Sequence, residues 1–507
     1  MNMTDGAFAG SDAGSADRGG PRTGRRQVLA GAAALGATAL AAGAVTATPA
    51  AAAPGPRTFA AGRPILFRGA TVVTMDPRRG VLHDTDVLVH GTDIQAVGKH
   101  LPAPHGTTVV DTAGALLLPG FVNTHQHMWQ AALRGVGADW TLTQYFNTII
   151  MKWGALFRPQ DIYAANYLAM VESVNDGVTT TMDFSHGLAT PEHADAAVDA
   201  LFAVPGRARF GYSSLALDLS WVYDGRVDRM LKERFSGSDQ LVTMQLAFDV
   251  YALTDDARRA LRHTRDLGLP LSTHAGLFGF VGDDGLRFLQ DNGALSPTTT
   301  LVHAATLSDD SYRRIADSGA YISLSAESEL NAGQGYPPSA KAREFGIPIS
   351  LSQDTVIWWS ADMFSAMRAT LSADRGLAHL QAHQAGKSLS SNALRAQDVL
   401  EYATIGGART LGLDRLIGSI TPGKRADLVL LGRSSPAMSV VNNPAGHIVF
   451  QAGRGDVDTV LVNGRVLKHR GTLVGVDLQR ARHQVQQSLE YLRSKIPAKE
   501  WQQAMGA

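Results

Sequence analysis

His125 and His127 stand one residue apart in the stretch Pro119-Gly120-Phe121-Val122-Asn123-Thr124-His125-Gln126-His127. Phe121-Val122-Asn123 is a short buried-strand signal, and on a strand alternate side chains share a face. Both imidazoles can therefore grip one metal ion from a strand end, with Gln126 turned away. Neutral imidazole is the commonest nitrogen ligand and suits zinc, iron or cobalt. An HxH can also arise by chance among 16 histidines. The metal reading therefore needs further ligands from elsewhere in the chain.

The elements that would carry those ligands are legible as short apolar runs between longer helical stretches over residues 119–413. After the first come Val178 to Asp183, Arg207 to Tyr212, Val242 to Phe248 and Pro270 to Thr273. Thr299 to Val302, Tyr321 to Leu324 and Pro348 to Ser352 complete a set of eight. A repeating βα pattern of this length predicts an α/β fold, a (β/α)8 TIM-like barrel, with chemistry at the C-terminal ends of its strands. The fifth strand ends in His274, the sixth in His303 and the eighth at Gln353-Asp354. With His125 and His127, these residues converge on one rim, which is far more specific than HxH alone.

Strand texture also flanks the barrel. Residues 58–118 and 414–475 read as one small β-domain assembled from both ends, including a hairpin at Asn463-Gly464. Residues 476–507 are polar and helical in pattern, suited to packing or to assembly of a homo-oligomer. Residues 1–57 stand apart from the fold. A Gly-, Ser- and Asp-rich start is followed by Arg25-Arg26, the small apolar run Val28 to Val45, and A-x-A sites near Ala53. This order is that of a secretory signal of twin-arginine type, cleaved near Ala53, and predicts an exported protein that leaves the membrane after cleavage.

Composition narrows the chemistry. The 507 residues carry no formal net charge, so nucleic acid is not the expected partner. No cysteine is present. Disulfides and thiolate ligands are excluded, and a metal site must be built from histidine and carboxylate.

From about Ile65 to Leu467 the chain resembles the amidohydrolase superfamily, in the branch of cytosine and guanine deaminases and triazine chlorohydrolases. The resemblance is carried by Gly120 to His127, Gln130 with Leu133-Arg134-Gly135, Gly177-Val178-Thr179-Thr180, His303, Asp354, and Thr421 to Asp427. It implies that His125, His127, His274 and Asp354 hold one divalent metal, zinc first, with iron or cobalt as alternatives. It also implies that His303 orients the substrate or stabilises an oxyanion. No lysine ends the fourth strand, where binuclear members carry a bridging one, so a mononuclear site is expected. Such an ion lowers the pKa of water to ~7, and Asp354 can take the released proton on its second oxygen.

One departure bears on the reaction. Members of the deaminase branch carry Glu three residues after the fifth-strand histidine, and here that position is Leu277. Glu327 and Glu329, after the seventh strand, are the carboxylates that can replace it, and Glu327 is the expected proton donor. Trp129, Gln130, Trp153, Phe184, His186, Phe278, Trp358 and Trp359 lie near rim positions in sequence. Of these, Gln130, Trp129 and His186 are the expected substrate contacts. Aromatics beside a metal suit a flat, ring-bearing small molecule. The expected function is hydrolysis of a C–N bond, as in an amide, lactam or carbamate, in a cyclic or aromatic substrate. The alternatives are deamination of a nucleobase-like ring and a non-catalytic binding protein.

Overall fold

The structure, a computed structural model, describes Phe59, residues 62–277 and residues 281–506. The Arg25-Arg26 signal, the expected cleavage point at Ala53 and Phe278 lie outside the described residues. Among the described residues no helix is long and apolar enough to cross a membrane.

Strands β1 (Ile65–Val73), β2 (Val81–His90), β3 (Asp93–Gly98), β4 (Thr108–Asp111) and β5 (Leu116–Pro119) precede the barrel. Strands β14 (Leu428–Leu431), β15 (Val457–Val462), β16 (Arg465–His469) and β17 (Thr472–Leu473) follow it. Together they make one sheet in the order β17-β16-β15-β14-β5-β1-β2-β3, with β4 beside β1. The two flanks join where β14 runs antiparallel to β5, pairing Leu428 with Pro119 and Leu431 with Leu116. Asn463 and Gly464 both take positive φ, 51° and 75°, as a tight β15–β16 hairpin turn requires.

The second sheet is the barrel: β6 (Phe121–Gln126), β7 (Val178–Ser185), β8 (Arg207–Tyr212), β9 (Val242–Ala247), β10 (Leu271–Ala275), β11 (Thr299–His303), β12 (Tyr321–Leu324) and β13 (Ile349–Leu351). All neighbours are parallel and follow chain order. β7, β8, β10 and β11 are buried along their whole length, as strands covered on both faces must be. At the entry to β6, a Cβ on Gly120 would lie 2.1 Å from the Thr179 side chain. Only glycine lets the first two barrel strands approach there.

The barrel closes between β13 and β6 at a seam with one isolated parallel bridge, Gln126 with Asp354. His127 N–H donates to the Asp354 carbonyl at 2.7 Å, and Asp354 N–H to the His125 carbonyl at 3.1 Å. The buried Asn123 side chain knits the same seam. Its amide donates to Gln126 Oε1 and Gln353 Oε1, and its oxygen accepts from Gln353 N–H. Closure of the barrel and placement of the rim residues are thus one arrangement.

Candidate active site

The C-terminal end of β6 delivers His125 and His127, β10 delivers His274, β11 delivers His303, and the turn after β13 delivers Asp354. All five are buried. The backbone turns left-handed at His303 (φ 72°) and at Asp354 (φ 52°). Such a conformation costs energy for a non-glycine residue and persists only where its surroundings hold it. Here it aims both side chains at the cluster.

Asp354 Oδ1 lies 3.3 Å from His125 Nε2 and 3.4 Å from His127 Nε2. These spacings match the ~3.4 Å edge of a tetrahedron of ligands ~2.1 Å from a central zinc. His125, His274 and His303 form a second group whose ligand atoms lie within 4.8 Å of one another. Two of the far nitrogens are engaged in the way that ligating histidines commonly are. His127 Nδ1–H donates to the Phe184 carbonyl at 2.9 Å, and His274 Nδ1–H to the Asp249 carboxylate at 2.9 Å. His125 Nδ1 is buried and has no such partner among the described residues. The residues present therefore fit one divalent cation of nitrogen and carboxylate preference.

Electrostatics agree with that role. Burial pushes His125 well below its ordinary pKa and His127 down to about 4, so both rings are neutral at pH 7 and free to ligate. Burial opposes charge on Asp354, but the His125 hydrogen bond and the neighbouring His303 and His127 outweigh it. They hold that carboxyl well below the usual carboxylate range. Its Oδ2 receives the Ser328 hydroxyl, and Ser328 in turn accepts the Trp358 indole N–H at 2.7 Å. Burial likewise opposes charge on His274, yet Asp249 raises its pKa, while His274 lowers that of Asp249.

A cavity of about 490 Å³, counting its open mouth, rises from this cluster. Its wall is largely apolar and aromatic, including Tyr145, Phe146, Ile150 and Trp358. Leu277 is part of it, so the side chain three residues after His274 faces the cavity. His186 lines the cavity with its ring 3.9 Å from that of His127.

Other expected site residues lie elsewhere. Trp129 and Gln130 are fully buried behind the wall and do not line it. The Trp129 indole N–H donates to His186 Nδ1 at 3.0 Å, and the Gln130 amide to the Tyr145 hydroxyl at 2.6 Å. They thus support residues that face the cavity. Phe184 packs under His274, Trp153 is in the core and Trp359 is on the surface. Glu327 is not brought to the rim. It is buried beside Ser365 and Trp359, and burial pushes its carboxyl up to about 8. Glu329 is the acid that reaches the cluster, with Oε1 3.2 Å from His303 Nδ1 and held by Ser325 N–H at 2.9 Å.

Sequence reasoning missed two groups. Asp249 registers in the sequence only as the absence of a lysine, yet a carboxylate ending the strand beside a histidine-bearing strand is the available signal. Tyr145 gave no motif at all.

The amidohydrolase family model matches residues 116–467. The 5'-deoxyadenosine deaminase of Methanothermobacter thermautotrophicus is 27% identical over 407 residues, covering 78% of this chain and 91% of that protein. An adenosine deaminase from Xanthomonas campestris, solved with bound zinc, superimposes with a TM-score of 0.72 at 23% identity, over 85% of this chain and 98% of the other. A mutant of the atrazine chlorohydrolase of Arthrobacter aurescens TC1, complexed with zinc and atraton, gives a TM-score of 0.72 at 24% identity, over 84% and 100%. The likeness to both structures is one of fold. A family model that spans well over half the chain and takes in the whole imidazole–carboxylate cluster leads to one conclusion: the chain belongs to the amidohydrolase family and is a metal-dependent hydrolase.

Proposed function

We propose that the protein hydrolyses a C–N bond of a cyclic or aromatic small molecule around one divalent ion, zinc by its donor set. His125, His127, His274 and Asp354 would hold the ion. The observation that carries this reading is the opening of the imidazole–carboxylate cluster into a narrow aromatic cavity. When bound, such an ion lowers the pKa of water to ~7 and polarises an electrophile. Asp354 directs Oδ1 at the imidazoles, and Oδ2, which accepts the Ser328 hydroxyl, keeps a second lone pair to take the proton of the attacking water. His303 is fixed through Nδ1 by Glu329, and with a proton also on Nε2 it can donate to the substrate atom that gains negative charge. Leu277 cannot carry a proton. Protonation of the leaving group therefore falls to Asp354 or His303, which suits leaving groups that need little assistance.

Deamination of a nucleobase-like ring is the second reading, favoured by Glu329 backing His303 and by the deaminases among the relatives. The zinc-loaded protein should be screened against amides, lactams and carbamates and against aminated purine and triazine rings, with ammonia release and product mass as readouts. Ring hydrolysis without ammonia supports the first reading. Ammonia from an aminated ring supports the second, and inertness toward every class by zinc-replete protein refutes both. We also propose export through the twin-arginine route, on the strength of the N-terminal pattern, with metal loaded before translocation.

A further inference from the structure

Leu142, Tyr145, Phe146 and Ile150 of the cavity wall all come from one stretch, the short helix Leu142–Tyr145 and the π-helix Phe146–Trp153. A π-helical turn is rare and concentrates at functional sites. The last residue of this one, Trp153, is 2% exposed and is gripped in two ways by the end of the chain. Its indole N–H donates to Glu500 Oε1 at 2.8 Å, 347 positions away. Its ring stacks on Trp501, with centroids 5.5 Å apart and planes 13° from parallel. Trp140 meets the ring edge-on at 6.1 Å, and the Arg493 guanidinium lies 5.3 Å from the Trp501 centroid.

A buried indole N–H needs an acceptor, and Glu500 supplies it. Offset stacking stabilises the contact beyond the area it buries. Glu500 and Trp501 both lie on the terminal helix Ala498–Ala504, outside the barrel and outside the β-sheet domain.

We propose that this terminal helix braces the substrate-cavity wall, with Glu500 and Trp501 acting as positioning residues through Trp153. The packing role expected of the C-terminal segment thereby becomes a specific one. The helix fixes where Tyr145, Phe146 and Ile150 stand, and so the shape of the space that admits substrate. The assignment of that space to substrate rests on the hydrolase reading, whereas the bracing does not.

Amide hydrogen exchange on the zinc-loaded protein tests it. Trp501→Ala removes the stack, and Glu500→Leu removes the acceptor. Glu500→Gln keeps an oxygen that can accept the indole N–H. Exchange over residues 142–153 should rise about tenfold or more in the first two variants, as for a ~1.4 kcal/mol loss of local stability. It should stay near the unmodified rate in Glu500→Gln. Exchange in β10 and β11 and zinc content should not change. On a substrate found in the screen, the first two variants should raise KM several-fold and leave kcat within about twofold. Unchanged exchange over 142–153 in Trp501→Ala overturns the proposal, and so does a rise shared equally by the barrel strands. Raised wall exchange in a protein that turns over nothing would uphold the bracing while refuting the hydrolase reading alone.

Discussion

Changing Asp249 to Asn preserves the volume beside His274 and alters only what that position can accept. The Asp249 carboxylate takes the His274 main-chain N–H at 2.8 Å, the ring Nδ1–H at 2.9 and 3.1 Å, and the Tyr251 hydroxyl at 3.0 Å. An amide has a single acceptor oxygen. If it keeps the main-chain N–H, its NH2 faces Nδ1 and obliges the ring to accept there. The ring proton then moves to Nε2, the nitrogen that a metal needs free. Loss of a hydrogen bond to a charged group costs ~1.5–3 kcal/mol, which sets the expected loss of zinc affinity at roughly 10–100-fold. Chelator-competition titration at pH 7 measures it, with circular dichroism to show that the fold is kept. Tyr251→Phe is the control, because it leaves the carboxylate in place and should cost less than about fivefold. Affinity within twofold of the unmodified protein in Asp249→Asn would refute the orienting role and weaken the placement of His274 in the metal site. The pair also sets a pH signature. The pKa of Asp249 is depressed below 3.8, so its contribution to the metal-free fold is present above that value and fades as pH falls through the folded pKa. That of His274 is raised above 6.5, so its contribution is full below that value and is lost as pH rises through the folded pKa. The pair therefore helps the metal-free fold most between those limits. Zinc competes with the His274 proton, and its affinity should rise with pH as that proton leaves.

Asp354→Ala and His125→Ala should each lose bound metal and turnover together; near-stoichiometric metal by elemental analysis, with full activity, would contradict the ligand assignment. Glu327→Gln should leave turnover within a few-fold, since that carboxyl faces Ser365 and Trp359. Because burial raises Glu327 from 4.5 to about 8, the folded state holds a proton that the unfolded state has released between those values, and stability falls as pH rises through that window. The Gln variant should therefore melt higher than the unmodified protein at pH 8 and alike near pH 4, and melting curves that coincide at both would count against the buried-acid argument. Replacing Arg25-Arg26 by Lys-Lys should retain an active precursor in the cytoplasm, as read by fractionation; unimpaired export would point to another route.

The barrel was legible because each strand is a short apolar run bounded by turn residues, so the parallel pattern and the strand ends could be read together. The imidazole–carboxylate cluster followed, since its members stand at or just past those ends. The acids after β12 were not legible in the same way. Glu327 and Glu329 would share a side if the chain stayed extended, but Ala326–Ala332 is a helix. At 3.6 residues per turn, two positions along is roughly 200° around, so one acid meets His303 and the other Ser365. Trp129 and Gln130 were placed near the rim by their distance from His127. The 3-10 helix Met128–Leu133 instead turns both behind the wall.

The seam between β13 and β6 has a consequence for how such a protein could change over time. His125 and His127 stand on one side of it and Asp354 on the other, across a join with a single bridge. An ion shared by the three would be a clasp on the barrel as well as a reagent. A descendant that abandoned catalysis could not simply shed its ligands, because each loss would also unfasten the join. It would first have to re-stitch the seam with hydrogen bonds or apolar contacts of its own, and Asn123 and Gln353 are the stitches already in place.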